Sequence, residues 1–356
     1  MASCELRIAL GRSDRSYHPG EKIAGKVLVS AVEGCRCDKL TIALQWCTHG
    51  KGNAVKGVLA EQTLFVGDWG PGEMQDYAFE IVAPAGPLTY RGTLLNVDWY
   101  LTARADVPWA IDPKAESELL LVPWTEQQLS PEAGGSYRTA PAQPWETASP
   151  GPQLSSPEQV QATQARNLGC SLGAGVVCAA IGLLLVLVAT GRQAFGAVLL
   201  IVAAVLLGNF LWKWLARRSL GGSPKVRLDP PIIEAGDTLG VEVRFRPTKA
   251  ITLESATAAL SAAEVVVKGS GTDKHTYSHA LHAASEPLAD SGRRFAAGER
   301  TKLRASFAIP PGAPPSFAAT DNELRWSVAV TVDALRAPAW KLEVPFVVRP
   351  RSAGRS

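Results

Sequence analysis

Residues Phe307–Trp340 read FAIPPGAPPSFAATDNELRWSVAVTVDALRAPAW. A proline-rich turn leads into a run where Leu324, Trp326, Val328, Val330 and Val332 occupy every second position. A period of two places all five on one face of an extended chain, so the segment predicts a half-buried β-strand. Earlier in the chain, Phe79–Asp112 reads FEIVAPAGPLTYRGTLLNVDWYLTARADVPWAID and follows the same plan. Phe79 aligns with Phe307, Ile81 with Ile309, Tyr90 with Phe317, Trp99 with Trp326, and Asp106 with Asp333. Upstream, SYHPGEKIAGKVLV (Ser16–Val29) lies over IIEAGDTLGVEVRF (Ile232–Phe245), with Gly20 over Gly236. Matches in the same order at both ends predict an internal repeat.

The same period runs through both copies. Leu6, Ile8 and Leu10 alternate, as do Ile23, Gly25, Val27 and Val29, then Leu40, Ile42, Leu44 and Trp46. In the second copy Leu239, Val241, Val243 and Phe245 alternate, and Trp340, Leu342, Val344, Phe346 and Val348 close the series. Half-buried strands punctuated by Pro-Gly and Gly-Asp turns predict antiparallel β-sandwiches, one per copy. The fold class expected is mainly β, with two tandem immunoglobulin-like sandwiches.

Three quoted features carry a family resemblance. The run Tyr17-His-Pro-Gly-Glu-Lys-Ile-Ala-Gly-Lys-Val, followed by a strand ending in Trp46, resembles the opening of an arrestin-type domain. Ile309–Asp333 is similar to the matching strand pair of arrestin lobes. Two such lobes in tandem resemble the plan of α-arrestins, the arrestin-like retromer subunit and bacterial sporulation-control proteins. The resemblance implies an arrestin-N-like and an arrestin-C-like lobe and a scaffold or adaptor role, and it speaks for fold more than for function. The buried charged core and phosphate-sensing lysines of visual arrestins have no counterpart here, so phosphoreceptor binding is not implied.

Between the copies lies the apolar part of the chain. Leu168–Thr190 has neither charge nor proline and spans roughly 34 Å as a helix, against a hydrocarbon core of about 30 Å. Phe195–Leu211 forms a second run, followed by Trp212, Lys213 and Trp214, then Arg217 and Arg218. Aromatic and basic residues at one end are typical of a membrane surface. The connecting Gly191-Arg192-Gln193 reads as a tight turn, so residues 168–190 and 195–215 predict a transmembrane hairpin. Small residues Gly169, Gly173, Ala174, Cys178, Gly182, Ala204 and Gly208 are candidates for its helix contact. Arg166 before the hairpin, and Lys213 to Arg227 after it, predict that both flanks are cytoplasmic by the positive-inside rule. The expected location is therefore multi-pass in an inner (plasma) membrane, with both termini and both sandwiches cytoplasmic and the lipid bilayer as partner.

The expected boundaries are 1–124 for the first sandwich, 125–166 for a Pro/Ser/Gln-rich linker, 167–218 for the hairpin, 219–350 for the second sandwich and 351–356 for a tail. The N-terminus lacks a continuous apolar stretch and predicts no signal peptide. A formal charge of +3 over 356 residues, without a dense Lys/Arg block, argues against nucleic acid.

Candidate chemistry is sparse. Cys35, Cys37, Cys47 and His49 are four soft ligands within a short span and the weak candidates for a metal site. Their C-x-C and C-x-H spacings lack the knuckle pattern, and buried strand cysteines are the blander reading. His275, His279 and His282 would share a face on a helix, but their neighbours alternate as a strand does. His49-Gly-Lys-Gly-Asn53 lacks the phosphate-loop spacing and reads as a turn between strands. No nucleophile elbow, zincin motif or convincing acid–base pair is present, so no catalytic residue, cofactor or small-molecule substrate is expected. Trp69, Trp109 and Trp145 are weak candidates for partner contact. The expected function is a membrane-anchored scaffold whose protein partner the sequence does not name. The alternatives are a structural subunit of a membrane complex and a Cys/His metal-dependent protein.

Overall fold

The computed structural model describes residues 4–109, 111–124, 157–188 and 193–350. The linker as far as 156, with Tyr137 and Trp145, the hairpin tip at 189–192 and the tail at 351–356 lie outside the described residues.

The first copy contributes β1 (Cys4–Leu10), β2 (Ser16–Tyr17), β3 (Lys22–Ala31), β4 (Cys35–Gly50), β5 (Lys56–Trp69), β6 (Met74–Val82), β7 (Tyr90–Arg91), β8 (Leu95–Asp106) and β9 (Lys114–Leu121). They form a three-stranded sheet, β1-β3-β6, and a larger one, β2-β9-β8-β4-β5, with β7 on β8. Alternation sets which residues meet between the sheets. Ile23, Val27, Phe79 and Ile81 of the small sheet share one buried core with Leu40, Ile42, Leu44, Trp99, Leu101 and Leu119 of the large one. This is a β-sandwich held by apolar burial.

The second copy repeats it with β10 (Lys225–Asp229), β11 (Ile232–Glu234), β12 (Thr238–Phe245), β13 (Ile251–Lys268), β14 (His275–Ala289), β15 (Arg294–Phe295), β16 (Thr301–Ala308), β17 (Phe317–Ala319), β18 (Asn322–Ala334) and β19 (Trp340–Arg349). Its sheets run β10-β12-β16 and β11-β19-β18-β13-β14, with β17 on β18. Even the exception is repeated: β2 pairs with β9 in parallel, and β11 pairs with β19 in parallel.

Side chains match as well. Trp99 and Trp326 are both fully buried, and each indole N–H donates to a proline carbonyl, Pro87 at 2.7 Å and Pro314 at 3.0 Å. The Thr89 hydroxyl accepts the Leu121 N–H at 2.9 Å, as the Ser316 hydroxyl accepts that of Val348 at 3.0 Å. Gly20 and Gly236 both have left-handed backbone (φ 87° and 94°), a conformation that only glycine adopts at no steric cost. One alignment slips. Gly25 pairs with Phe79, whereas Val241, the counterpart of Gly25 when Gly20 is laid over Gly236, pairs with Ala305. Phe79 therefore corresponds to Ala305 and Ile81 to Phe307, two residues away from the sequence match. A shift of two keeps every side chain on its face, so alternation alone cannot detect it.

Two helices separate the lobes: α1 (Pro157–Val188) and α2 (Gln193–Ser219). They run side by side through a seam of small residues. A side chain at Gly182 would meet the Gly196 carbonyl and Leu199, one at Gly175 would meet Leu206 and Leu207, and Ala203 is buried. Gly182 belongs to the seam as expected. Gly173 and Gly208 face open space, while Gly175, Gly196 and Ala203 supply contacts the sequence reading did not name.

The expected double membrane crossing is overturned. Among the described residues one helix, Ala194–Leu215 with a mean hydropathy of 2.5, is long and apolar enough to cross. The apolar part of α1 runs only from Leu172 to Leu187, roughly 24 Å at 1.5 Å per residue. That length falls short of a hydrocarbon core of about 30 Å. The multi-pass location with both termini on the cytoplasmic side falls with it, and a single such helix does not fix a compartment.

Candidate functional site

The two lobes meet at equivalent ends, and the turn between β4 and β5 builds half of the contact. Asn53 donates its side-chain amide to the Gly269 carbonyl and to Asp321, both at 2.9 Å. Lys51 lies over the Tyr277 ring at 4.3 Å. The His49–Asn53 turn is thus a strand connection, as expected, and its polar groups serve the junction.

Facing it, Glu264 stands at an inward position of β13, in line with Leu260, Ala262 and Val266, and is fully buried. Burying a carboxyl is costly unless its oxygens are satisfied. One oxygen accepts the Tyr90 hydroxyl at 2.7 Å and the Thr93 N–H at 3.0 Å. The other accepts the Leu94 and Leu95 N–H groups at 2.5 and 3.2 Å. Burial and the bond to Glu264 push the Tyr90 phenol well above its ordinary pKa, so it stays a donor. Beside this nest Leu95, Val97, Val266 and Leu324 form a small core shared by both lobes, and Trp46 meets Phe317 edge-on at 5.6 Å.

The junction carries the repeat's own symmetry. Thr48 pairs with Val97, and Glu264 with Leu324, each partner lying two residues before its lobe's buried tryptophan. Thr48 and Glu264 are therefore counterparts, as are Leu95 and Asn322. Glu264 binds Leu95 N–H, and Thr48 accepts the Asn322 amide at 3.3 Å. The same Asn322 amide donates to the Asn53 carbonyl at 2.7 Å.

The sequence-named metal candidates do not converge. Cys35 opens β4 and Cys47 stands near its other end, roughly 40 Å away at 3.3 Å per residue. Cys35 and Cys37 instead gather with Cys4, and burial pushes the Cys4 thiol up to about 12 and the Cys37 thiol up to about 11. Such thiols stay protonated and are poor nucleophiles. His49 lies beside Tyr100, with its Nε2 3.2 Å from the phenol oxygen. His275, His279 and His282 are strung along the edge strand β14, and His282 packs near Trp326. Among the described residues no group of three or more His, Cys, Asp or Glu could hold a metal.

The aromatic candidates divide. Trp69 is buried, stacked on Phe65 at 5.2 Å and bonded to the Tyr77 hydroxyl at 2.8 Å, so it is a core residue and no contact point. Trp109, at φ 64°, projects fully into solvent from the β8–β9 loop, with Ile111 exposed beside it. The free surfaces among the described residues include this tip, the edge strands β5 and β14, the outer faces of the three-stranded sheets and the outer faces of both helices. On the helices Val176, Leu184, Phe195, Val198, Ile201 and Val205 are exposed. Glu264, the centre of the junction, went unnamed in the sequence. Its one signal was a charged residue at the apolar parity of a strand.

No model of a known protein family matches the sequence, and no curated protein does. Among solved structures the chain is similar to the sporulation control protein Spo0M from Bacillus subtilis, at 17% identity and a TM-score of 0.30. The match covers 34% of this chain and 50% of that one. The chain thus spans about half the length of that relative. At this level the likeness carries no argument, and the two-lobed architecture rests on the ladders described above.

Proposed function

We propose that the chain is a membrane-associated scaffold: a two-lobed, arrestin-like body tied to a bilayer by α2 and recognising a protein partner through its free surfaces. The observation that carries this reading is the apolar exterior of Ala194–Leu215, of which 11% is buried. A core helix of a soluble protein would be mostly buried, and a contiguous apolar surface of this extent calls for lipid or another apolar cover. Trp212 and Trp214, both exposed at the end of that helix, suit the headgroup level. The role assigned is recognition, not catalysis. Sheet edges offer unpaired backbone groups and the Trp109–Ile111 tip offers apolar area, the two means by which sandwiches bind peptides and proteins. On this reading residues 1–124 and 219–350 are the lobes, and the expected linker 125–166 gives way to α1 at Pro157, leaving 125–156 to join the first lobe to the helices.

The test is flotation of the purified full chain with phosphatidylcholine vesicles in a density gradient. Co-flotation that survives high salt and alkaline carbonate supports the reading. A chain that stays at the bottom of the gradient as a folded soluble species contradicts it.

A further inference from the structure

The two lobes present the same three-stranded sheet with different electrostatics. On the outer face of β1-β3-β6, Lys22 pairs with Glu80 at 2.8 Å and Lys26 pairs with Asp76 at 2.5 Å, while Glu5 and Arg7 balance on the neighbouring strand. On the outer face of β10-β12-β16, Lys225, Arg227, Arg244, Lys302 and Arg304 are exposed against Asp229 and Glu242. Registers stack them in two rungs, Lys225–Arg244–Lys302 and Arg227–Glu242–Arg304. Glu242 sits among three cations, bonded to Lys302 at 2.6 Å, to Arg304 at 3.2 Å and to Arg244. It holds them together on one surface without cancelling them. Lys225 and Arg227 have no acidic partner among the described residues.

The basic rung is also the rung nearest α2. The Arg218 carbonyl at the end of that helix accepts the Thr248 hydroxyl at 3.1 Å, just past β12, and Leu220 is buried in the core of the second lobe. Five residues separate the helix from Lys225, and Arg218 lies over the Trp214 ring at 4.8 Å. The aromatic end of the apolar helix and the basic rung are therefore adjacent.

We infer that this face docks on anionic phospholipid headgroups of the bilayer holding α2, so that the second lobe lies against the membrane and the first is left free. The inference rests on the membrane reading above. Clustered Lys and Arg next to an apolar segment add an electrostatic attraction to acidic lipids that is screened by salt. Guanidinium groups also bind phosphate in a two-pronged manner.

The test uses the full chain in vesicles of phosphatidylcholine alone or mixed with phosphatidylglycerol. Lysine acylation by a membrane-impermeant reagent is read by mass spectrometry. Lys225 and Lys302 should react several-fold more slowly in the acidic vesicles, with protection lost at high salt, while Lys22 and Lys26 react alike in both. The doubly substituted R227Q/R304Q chain should float equally well and lose most of the protection. Equal reactivity of Lys225 in both vesicle types, in a chain that floats with both, overturns the docking inference and leaves the membrane reading standing. A chain that floats with neither sinks both. Equal protection by inorganic phosphate with neutral vesicles overturns the lipid assignment in favour of a soluble anion.

Discussion

The buried carboxyl of Glu264 accepts the Leu95 N–H at 3.2 Å, and the repeat counterparts of these two residues, Thr48 and Asn322, meet in turn at 3.3 Å. The lobes are thus joined by a pseudo-two-fold contact, in which each supplies an acceptor on one strand and a donor on the next. Both pairs are shielded from water, but only Glu264 is the sole acceptor for its donors: Asn322 also donates to the Asn53 carbonyl and Thr48 also bonds Val55.

Replacing Glu264 by Ala leaves four donors without an acceptor. Each neutral donor left unpaired in the interior costs about 1–3 kcal/mol. Calorimetry should show the single unfolding transition of the parent splitting into two, because the lobes lose their coupling. A single transition at unchanged temperature would show that the nest does not join them.

Gly92 reaches the same junction from the other side. An added methyl there would press on Glu264 Oε1 and lie 2.6 Å from the Tyr90 ring. Gly92→Ala should uncouple the lobes as Glu264→Ala does while removing no hydrogen-bonding group. Hydrogen exchange at Leu94 and Leu95 reads this directly: both amides should exchange faster in the variant.

The two buried tryptophans predict equal losses in different lobes. Trp99→Ala and Trp326→Ala should each cost about 3–5 kcal/mol, as large aromatic truncations in a core do. Trp69→Ala should destabilise the first lobe, whereas Trp109→Ala should fall within about 0.5 kcal/mol of the parent, as exposed substitutions do. Chemical denaturation of the four variants checks both halves.

Much of this was legible in the sequence, and the reason is periodicity. Alternation located the strands, and Gly20 over Gly236 and Trp99 over Trp326 located the repeat. A local signal of that kind was absent elsewhere. Phe79 aligned with Phe307 because a two-residue slip preserves the face of every side chain. Trp69 looked like a contact residue because Tyr77, which its indole N–H bonds, lies on the next strand, beyond the turn. The helix seam was misread in part because many small residues dot both apolar runs, and only the relative rotation of the helices selects Gly182 and Gly196. Glu264 meets residues about 170 positions away, beyond the reach of any pattern in one strand.

Acid should act on the second lobe through Glu242. Its bond to Lys302, with further bonds to Arg244 and Arg304, holds its carboxyl down at about 2, against 4.5 ordinarily. A carboxyl depressed on folding contributes stability above its unfolded value, and that contribution disappears as pH falls towards the folded one. The parent should therefore exceed Glu242→Gln in Tm at neutral pH, with the difference closing between about pH 4.5 and 2. A difference that does not change over that range would mean the three cations do not hold the carboxylate.

If α2 meets lipid, a depth probe at the middle of the helix registers it. Val205 faces outward from the middle of that helix. A nitroxide on V205C, with the native cysteines replaced by serine, is measured in phosphatidylcholine vesicles against dissolved oxygen and a water-soluble nickel complex. A lipid-embedded α2 gives strong relaxation by oxygen and little by nickel, with the reverse for a label on W109C. Ready access of nickel to the label at 205, in folded protein, would contradict it.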